Sequence, residues 1–131
     1  MPDYLLDSCV LIRHLRRHGP STDLLTSRAL EGGLGVATIS RLEIAEGMRE
    51  HERTSTMLLL DSLTSYPLTI AIADLASEFI RRYRAQGLSL DKPDAIIAAT
   101  AVCHDLALLT YNAKHFPMPE LKLYGPMPTT T

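Results

Sequence analysis

Tyr4-Leu5-Leu6-Asp7-Ser8-Cys9-Val10-Leu11-Ile12 is the stretch from which the fold can be read. Three apolar residues stop at Asp7, apolar character resumes at Val10, and Arg13, Arg16 and Arg17 follow. The pattern predicts a short buried strand that runs into a helix from Ser8 to Arg17, with Asp7 at the strand's carboxyl end. Open parallel sheets bind ligands outside the carboxyl ends of their strands, where strand order reverses. Asp7 is therefore a candidate ligand-binding carboxylate. The plainer alternative is a helix N-cap, whose side chain satisfies free N–H groups of the first turn for about 1 kcal/mol.

Working outward, Gly19-Pro20 ends the first helix. Ser21 or Thr22 can open a second helix carrying Leu24, Leu25 and Leu30, which Gly32-Gly33 stops. Leu34 to Ala37 reads as a second strand, and Thr38 or Ser40 can cap the helix after it. Glu43 stands early in that helix, near the carboxyl end of the preceding strand; a glutamate favoured by the helix dipole is the plain reading. Residues 52–65 predict a further helix, Leu68-Thr69-Ile70 a third strand, and Asp74 to Gln86 an amphipathic helix that Gly87 closes.

A second informative stretch is Asp91-Lys92-Pro93-Asp94 followed by Ala95-Ile96-Ile97-Ala98-Ala99-Thr100-Ala101-Val102. A helix this small and apolar on nearly every side must be buried and closely packed. Asp91 and Asp94 fit an N-cap with an acidic partner, yet Asp94 abuts the apolar part, where a carboxylate needs a partner. Ala107 to Thr110 predicts a fourth strand, with Thr110 and Asn112 as polar groups at its carboxyl end. Leu121 to Tyr124 predicts a fifth.

Strands alternating with helices argue for a parallel sheet covered on both faces, a three-layer α/β/α sandwich with five strands. Right-handed crossovers bring the carboxyl ends of the strands to one edge, where Asp7, Glu43, Asp94, Thr110 and Asn112 can converge. Carboxylates gathered in one pocket repel one another, and a hard divalent cation removes the conflict. An all-oxygen site suits Mg2+ or Mn2+ better than zinc.

The 131 residues suffice for one domain, read here as residues 1–125 with a Pro- and Thr-rich tail at 126–131. With 46% hydrophobic and 21% charged residues the chain reads as globular, and no apolar run approaches the roughly 20 residues that span a bilayer. The N-terminus has no signal-peptide pattern, so a cytoplasmic location is expected. The two cysteines, Cys9 and Cys103, are expected as buried free thiols within helices. A net charge of −2 removes any global basic signature of nucleic-acid binding, so such contact must rest on local groups such as Arg13, Arg16 and Arg17.

Four segments together resemble the PIN-domain family, and within it the VapC toxins of VapBC toxin–antitoxin pairs. They are Leu5-Leu6-Asp7-Ser8, Ser40 to Arg49, Asp94 to Ala101, and Leu109-Thr110-Tyr111-Asn112-Ala113-Lys114-His115-Phe116. The resemblance implies a metal-dependent endoribonuclease using Mg2+ or Mn2+, with Asp7, Glu43 and Asp94 matching the family's acidic metal ligands. It implies hydrolysis of an RNA phosphodiester that leaves a 5′-phosphate on one product. The family often carries a fourth acid where this chain has Asn112 and His115, so one firmly bound ion is expected. Ser8 is placed to support Asp7, Thr110 and His115 to support the site, and Asn112 to orient water or phosphate. The resemblance also implies a VapB-like antitoxin and a homodimer, with Met48, Met57, Leu58 and Leu59 as interface or core residues. The competing readings are a non-catalytic PIN-like binding module, and a metal-dependent phosphatase or DNA nuclease on the same type of sheet.

Overall fold

The computed structural model describes residues 3–16, 22, 25 and 33–124. Five strands form one sheet: β1 (Tyr4–Leu6), β2 (Leu34–Ala37), β3 (Thr64–Tyr66), β4 (Ala107–Leu109) and β5 (Lys122–Tyr124). Their order is β3-β2-β1-β4-β5 and every pairing is parallel. The helices are α1 (Ser8–Leu15), α2 (Thr38–Gly47), α3 (Arg53–Ser62), α4 (Ile70–Arg84) and α5 (Lys92–Cys103), with 3-10 turns at Glu50–Glu52 and Ala113–His115.

Side chains alternate across a strand, and here that alternation sorts the core into two halves. Leu5, Ala37 and Leu108 face Ile72, Ala76 and Phe79 of α4 and Ala95, Ala98 and Ala99 of α5. Tyr4, Leu6, Val36 and Leu109 face Val10 and Leu11 of α1, Ile44 of α2 and Leu60 of α3. The result is the α/β/α sandwich that the alternation of elements predicts. Helix α5 is as buried as its composition requires: Ala95 and residues 97–101 are all buried. Its small side chains let α4 approach closely across the same face of the sheet.

Several elements differ from the sequence reading. The third strand is Thr64–Tyr66, overlapping the end of the span expected to be helix, and α3 ends at Ser62. It lies at the sheet edge with two of its three residues exposed, so it carries no apolar pattern to reveal it. Leu68-Thr69-Ile70 is no strand: the Thr69 hydroxyl accepts from the Ile72 N–H at 3.2 Å, and α4 begins at Ile70. Helix α2 starts at Thr38 with neither Thr38 nor Ser40 as its cap. The Ser40 hydroxyl is buried without a hydrogen-bond partner among the described residues. Cys103 is exposed, because it is the last residue of α5, beyond the buried span; Cys9 is half-buried. Helix α1 ends at Leu15. Arg17, the predicted helix residues Leu24 and Leu30, and the tail at 126–131 lie outside the described residues. Thr22 and Leu25 are helical, and His14 Nδ1 lies 2.8 Å from Thr22 Oγ1.

Gly35 on β2 is required by space. A Cβ there would clash with the edge of the Tyr66 ring and lie 3.1 Å from the Thr64 carbonyl oxygen. The Tyr66 ring is also held against His104, with centroids 4.6 Å apart. Gly35→Ala should therefore destabilise the fold by about 1–3 kcal/mol, the usual cost of overpacking. Urea denaturation measures it, and an unchanged midpoint would show that Tyr66 moves aside freely.

Candidate active site

Strand order reverses at β1: β2 and β3 lie on one side, β4 and β5 on the other. The crevice beyond the carboxyl ends of β1 and β4 is thus the switch point where such sheets bind ligands. Asp7 follows β1 and Thr110 follows β4. The Asp7 N–H donates to the Leu109 carbonyl at 3.0 Å, which extends the ladder by one bond. Thr110 Oγ1 donates to Asp7 Oδ2 at 2.7 Å and accepts from the Asn112 N–H at 2.9 Å. Cys9 Sγ donates to the same Asp7 oxygen at 3.4 Å and lies 3.8 Å from Thr110 Oγ1.

Asp7 is 4% exposed and Thr110 fully buried. The Asp7 backbone occupies the N-cap position of α1, but its side chain makes no capping bond. Its carboxylate is instead oriented by Thr110 and Cys9. Sequence reasoning missed the part played by Cys9. The signal was its place two residues after Asp7, in the first turn of α1. Burial, and next the charge of Asp7, push the Cys9 thiol up to about 11, so it is a neutral donor.

Glu43 lies on α2 and is half-buried. Burial raises its carboxyl above the ordinary range, and the charge of Asp7 adds to the effect, while a hydrogen bond from Ser8 opposes it. Ser8, expected beside Asp7, thus serves Glu43. Asp94 is the third residue of α5, with its side chain 21% exposed. Burial first, then the charge of Asp7, push its carboxyl up to about 6; Asp91 and Glu43 add to this and His115 opposes it. His115 Nδ1 lies 3.6 Å from Asp94 Oδ2. The three acids therefore share one electrostatic neighbourhood. Among the described residues, no group of three or more His, Cys, Asp and Glu side chains stands close enough to hold a metal ion together.

Two cavities flank the acids. One of about 150 Å³ lies between α1, α2 and α3, lined by Glu43, Arg16, Ile44 and Met48 among others. The other, of about 240 Å³, is bordered by Asp94 and His115. The Arg13 guanidinium stacks over the Tyr111 ring, 4.0 Å from the centroid. Arg16 is exposed. Among the described residues, no helix is long and apolar enough to cross a membrane.

Comparison with known proteins agrees with this fold. Residues 4–119 match the PIN domain family. The chain is 42% identical over 116 residues to Ribonuclease VapC10 of Mycobacterium tuberculosis, covering 88% of this chain and 87% of that protein. It superposes on a toxin–antitoxin complex from Klebsiella pneumoniae with a TM-score of 0.80 and 26% identity, over 95% of this chain and 98% of that one. The VapBC2 structure from Rickettsia felis, bound to a promoter DNA fragment, gives a TM-score of 0.82. At 19% identity over 93% of this chain and 97% of that one, it speaks for the fold alone.

The electrostatics of Asp94 have a measurable consequence. Its carboxyl rises from an ordinary 3.8 to about 6 on folding. Between those values the folded chain binds more protons than the unfolded one, so stability falls as pH rises. In metal-free buffer Asp94→Asn should therefore melt a few degrees above the wild type at neutral pH. The gap should close as the pH drops below about 4, where the unfolded-state carboxyl is also protonated. Thermal melts across pH measure it, and an Asn variant no more stable at neutral pH would contradict the assigned environment.

Proposed function

This chain belongs to the PIN-domain family and is closely related to the VapC-family toxins, and from that premise we propose that it is a metal-dependent endoribonuclease, the toxin of a type II toxin–antitoxin pair. The observation that carries the proposal is the buried Asp7 carboxylate at the switch point, with Glu43 and Asp94 inside its field. The relationship to proteins named as ribonucleases supports the activity.

The donor set fits a hard cation. Asp7, Glu43 and Asp94 offer only carboxylate oxygens, while Cys9 is held as a neutral thiol and is a poor ligand. Glu43 and Asp94 are both held above their ordinary range by burial and like charge, the strain that Mg2+ or Mn2+ relieves. When bound, such an ion lowers the pKa of a water and neutralises charge on the phosphoryl oxygens.

The chain's own groups then divide the work. Thr110 and Cys9 fix the direction in which Asp7 presents its free oxygen. Ser8 orients Glu43. Asn112 is tied by its backbone N–H to Thr110, and its side-chain amide is the group proposed to orient water or a phosphate oxygen. His115, 3.6 Å from Asp94, is the group proposed to assist the leaving group. Arg13, pinned on Tyr111, and Arg16 and Arg17 hold the RNA backbone by charge.

A VapB-like antitoxin is the proposed partner. The support is the likeness, at 26% identity, to a toxin–antitoxin complex from Klebsiella pneumoniae. Homodimerisation is proposed through α2 and α3, where Leu42 and Leu58 are 57% and 67% exposed and Met57 and Leu59 lie partly buried.

Cleavage of single-stranded RNA with Mg2+, Mn2+ or EDTA tests the reading. The wild type should cut only with metal, and Asp7→Asn and Asp94→Asn should each lower the rate by about a hundredfold or more. Thr110→Val keeps the volume but loses both the donor to Asp7 and the acceptor for Asn112. It should cost about 10- to 100-fold, the usual effect of removing a hydrogen bond that orients a metal ligand. Metal-independent cutting, or cutting by Asp94→Asn at the wild-type rate, would overturn the proposal. Release of phosphate from monoesters without RNA cleavage would favour a phosphatase.

A further inference from the structure

A cleft opens beside Asp94. It runs between the loop joining α4 to α5 and the Ala113–His115 turn, with a volume of about 240 Å³. That is below the roughly 300–1,000 Å³ of pockets for drug-sized ligands and suits a single base. Leu88, Leu90 and Pro117 give it apolar walls, and Leu88 is 50% exposed on its lip. Asp91 and Lys114 supply polar groups, and Asp94 and His115 join it to the acidic centre.

Asp91 stands at the N-cap of α5, yet its side chain makes no capping bond, and the residue is exposed. A carboxylate at that position ordinarily serves the helix; this one is left free to accept from a ligand. Lys114 likewise has no ion-pair partner among the described residues. A free carboxylate next to an RNA path repels phosphate, so its presence is offset only if it meets N–H donors. Bases of single-stranded RNA are splayed out and read along such edges. Apolar walls for the base faces, a carboxylate for the base edge and a lysine for the phosphate make one set.

We propose that this cleft is the subsite for the nucleotide adjacent to the scissile phosphate, and that Asp91 selects its base. The proposal rests on the nuclease reading above. Guanine offers adjacent N1–H and N2–H donors that a carboxylate accepts in bidentate fashion. Cytosine and adenine offer one amino group. Uracil offers a single N–H between two carbonyl oxygens, which the carboxylate repels. The order of preference is therefore guanine, then cytosine or adenine, then uracil.

The test uses short single-stranded RNAs varied at each position around the cut. They are cleaved by the wild type with Mn2+ and bound by the inactive Asp7→Asn chain. At one position adjacent to the cut, guanine should be favoured over uracil about tenfold, within the discrimination of a bidentate pair. Asp91→Ser, which keeps a good N-cap residue, should abolish that preference. It should still fold and bind Mn2+, with a melting temperature at or slightly above the wild-type level, because one like charge beside Asp94 is gone. Asp91→Asn, with one acceptor oxygen in place of two, should retain a weaker preference. RNA cleavage with an unchanged base profile in Asp91→Ser would overturn the subsite and leave the nuclease standing. No cleavage or binding of any RNA by the wild type would overturn both.

Discussion

The fold and the site depend on one hydrogen bond, from the Thr110 hydroxyl to the Asp7 carboxylate at 2.7 Å, between residues 103 apart in sequence. Burying a carboxylate without partners is costly. Asp7 is 4% exposed, and its compensation comes from the far half of the chain. Bonds to an ionised acceptor are roughly twice as strong as neutral ones. This one therefore fixes β4 against β1 and orients Asp7 at the same time. The same hydroxyl accepts from the Asn112 N–H, so the turn beyond β4 is set by the same atom. Structure and candidate chemistry share this contact.

Around that contact the protein accumulates negative charge. Asp94 enters at the start of a helix in which Ala95 and residues 97–101 are buried, and Glu43 comes from α2 on the opposite face of the sheet. Burial is the largest influence on both carboxyls, and the charge of Asp7 is the next. Like charges gathered this way destabilise a fold unless something compensates them. Departures of this kind from the best packing solution concentrate at functional sites. His115, 3.6 Å from Asp94, offsets only part of the charge, since the Asp94 carboxyl still stands at about 6.

Much of this was legible in the sequence, where burial imposes a pattern. Leu5, Leu6 and Asp7, the apolar span after Asp94, and Leu108-Leu109-Thr110 mark the central strands and the buried helix because their surroundings tolerate little else. The edge strand Thr64–Tyr66 was hidden, because an exposed edge imposes no apolar rhythm. Thr69 read as a strand residue, although its hydroxyl caps a helix. Cys9 read as inert packing, because its role depends on Asp7 and Thr110 meeting in space. The stacking of Arg13 on Tyr111 joins residues far apart in sequence, beyond the reach of spacing arguments. The nearness of the acids could be argued from topology. Their electrostatic coupling and the cleft beside Asp94 could not, because both depend on side-chain placement.

The proposed single cation site of Asp7, Glu43 and Asp94 at the switch point of the sheet can be seen by anomalous diffraction from crystals soaked in Mn2+. One strong peak is expected within coordination distance, about 2.0–2.3 Å, of the Asp7 and Asp94 carboxylates, with Glu43 turned toward it. A peak remote from Asp7, or none in crystals whose site is open to solvent, would contradict it.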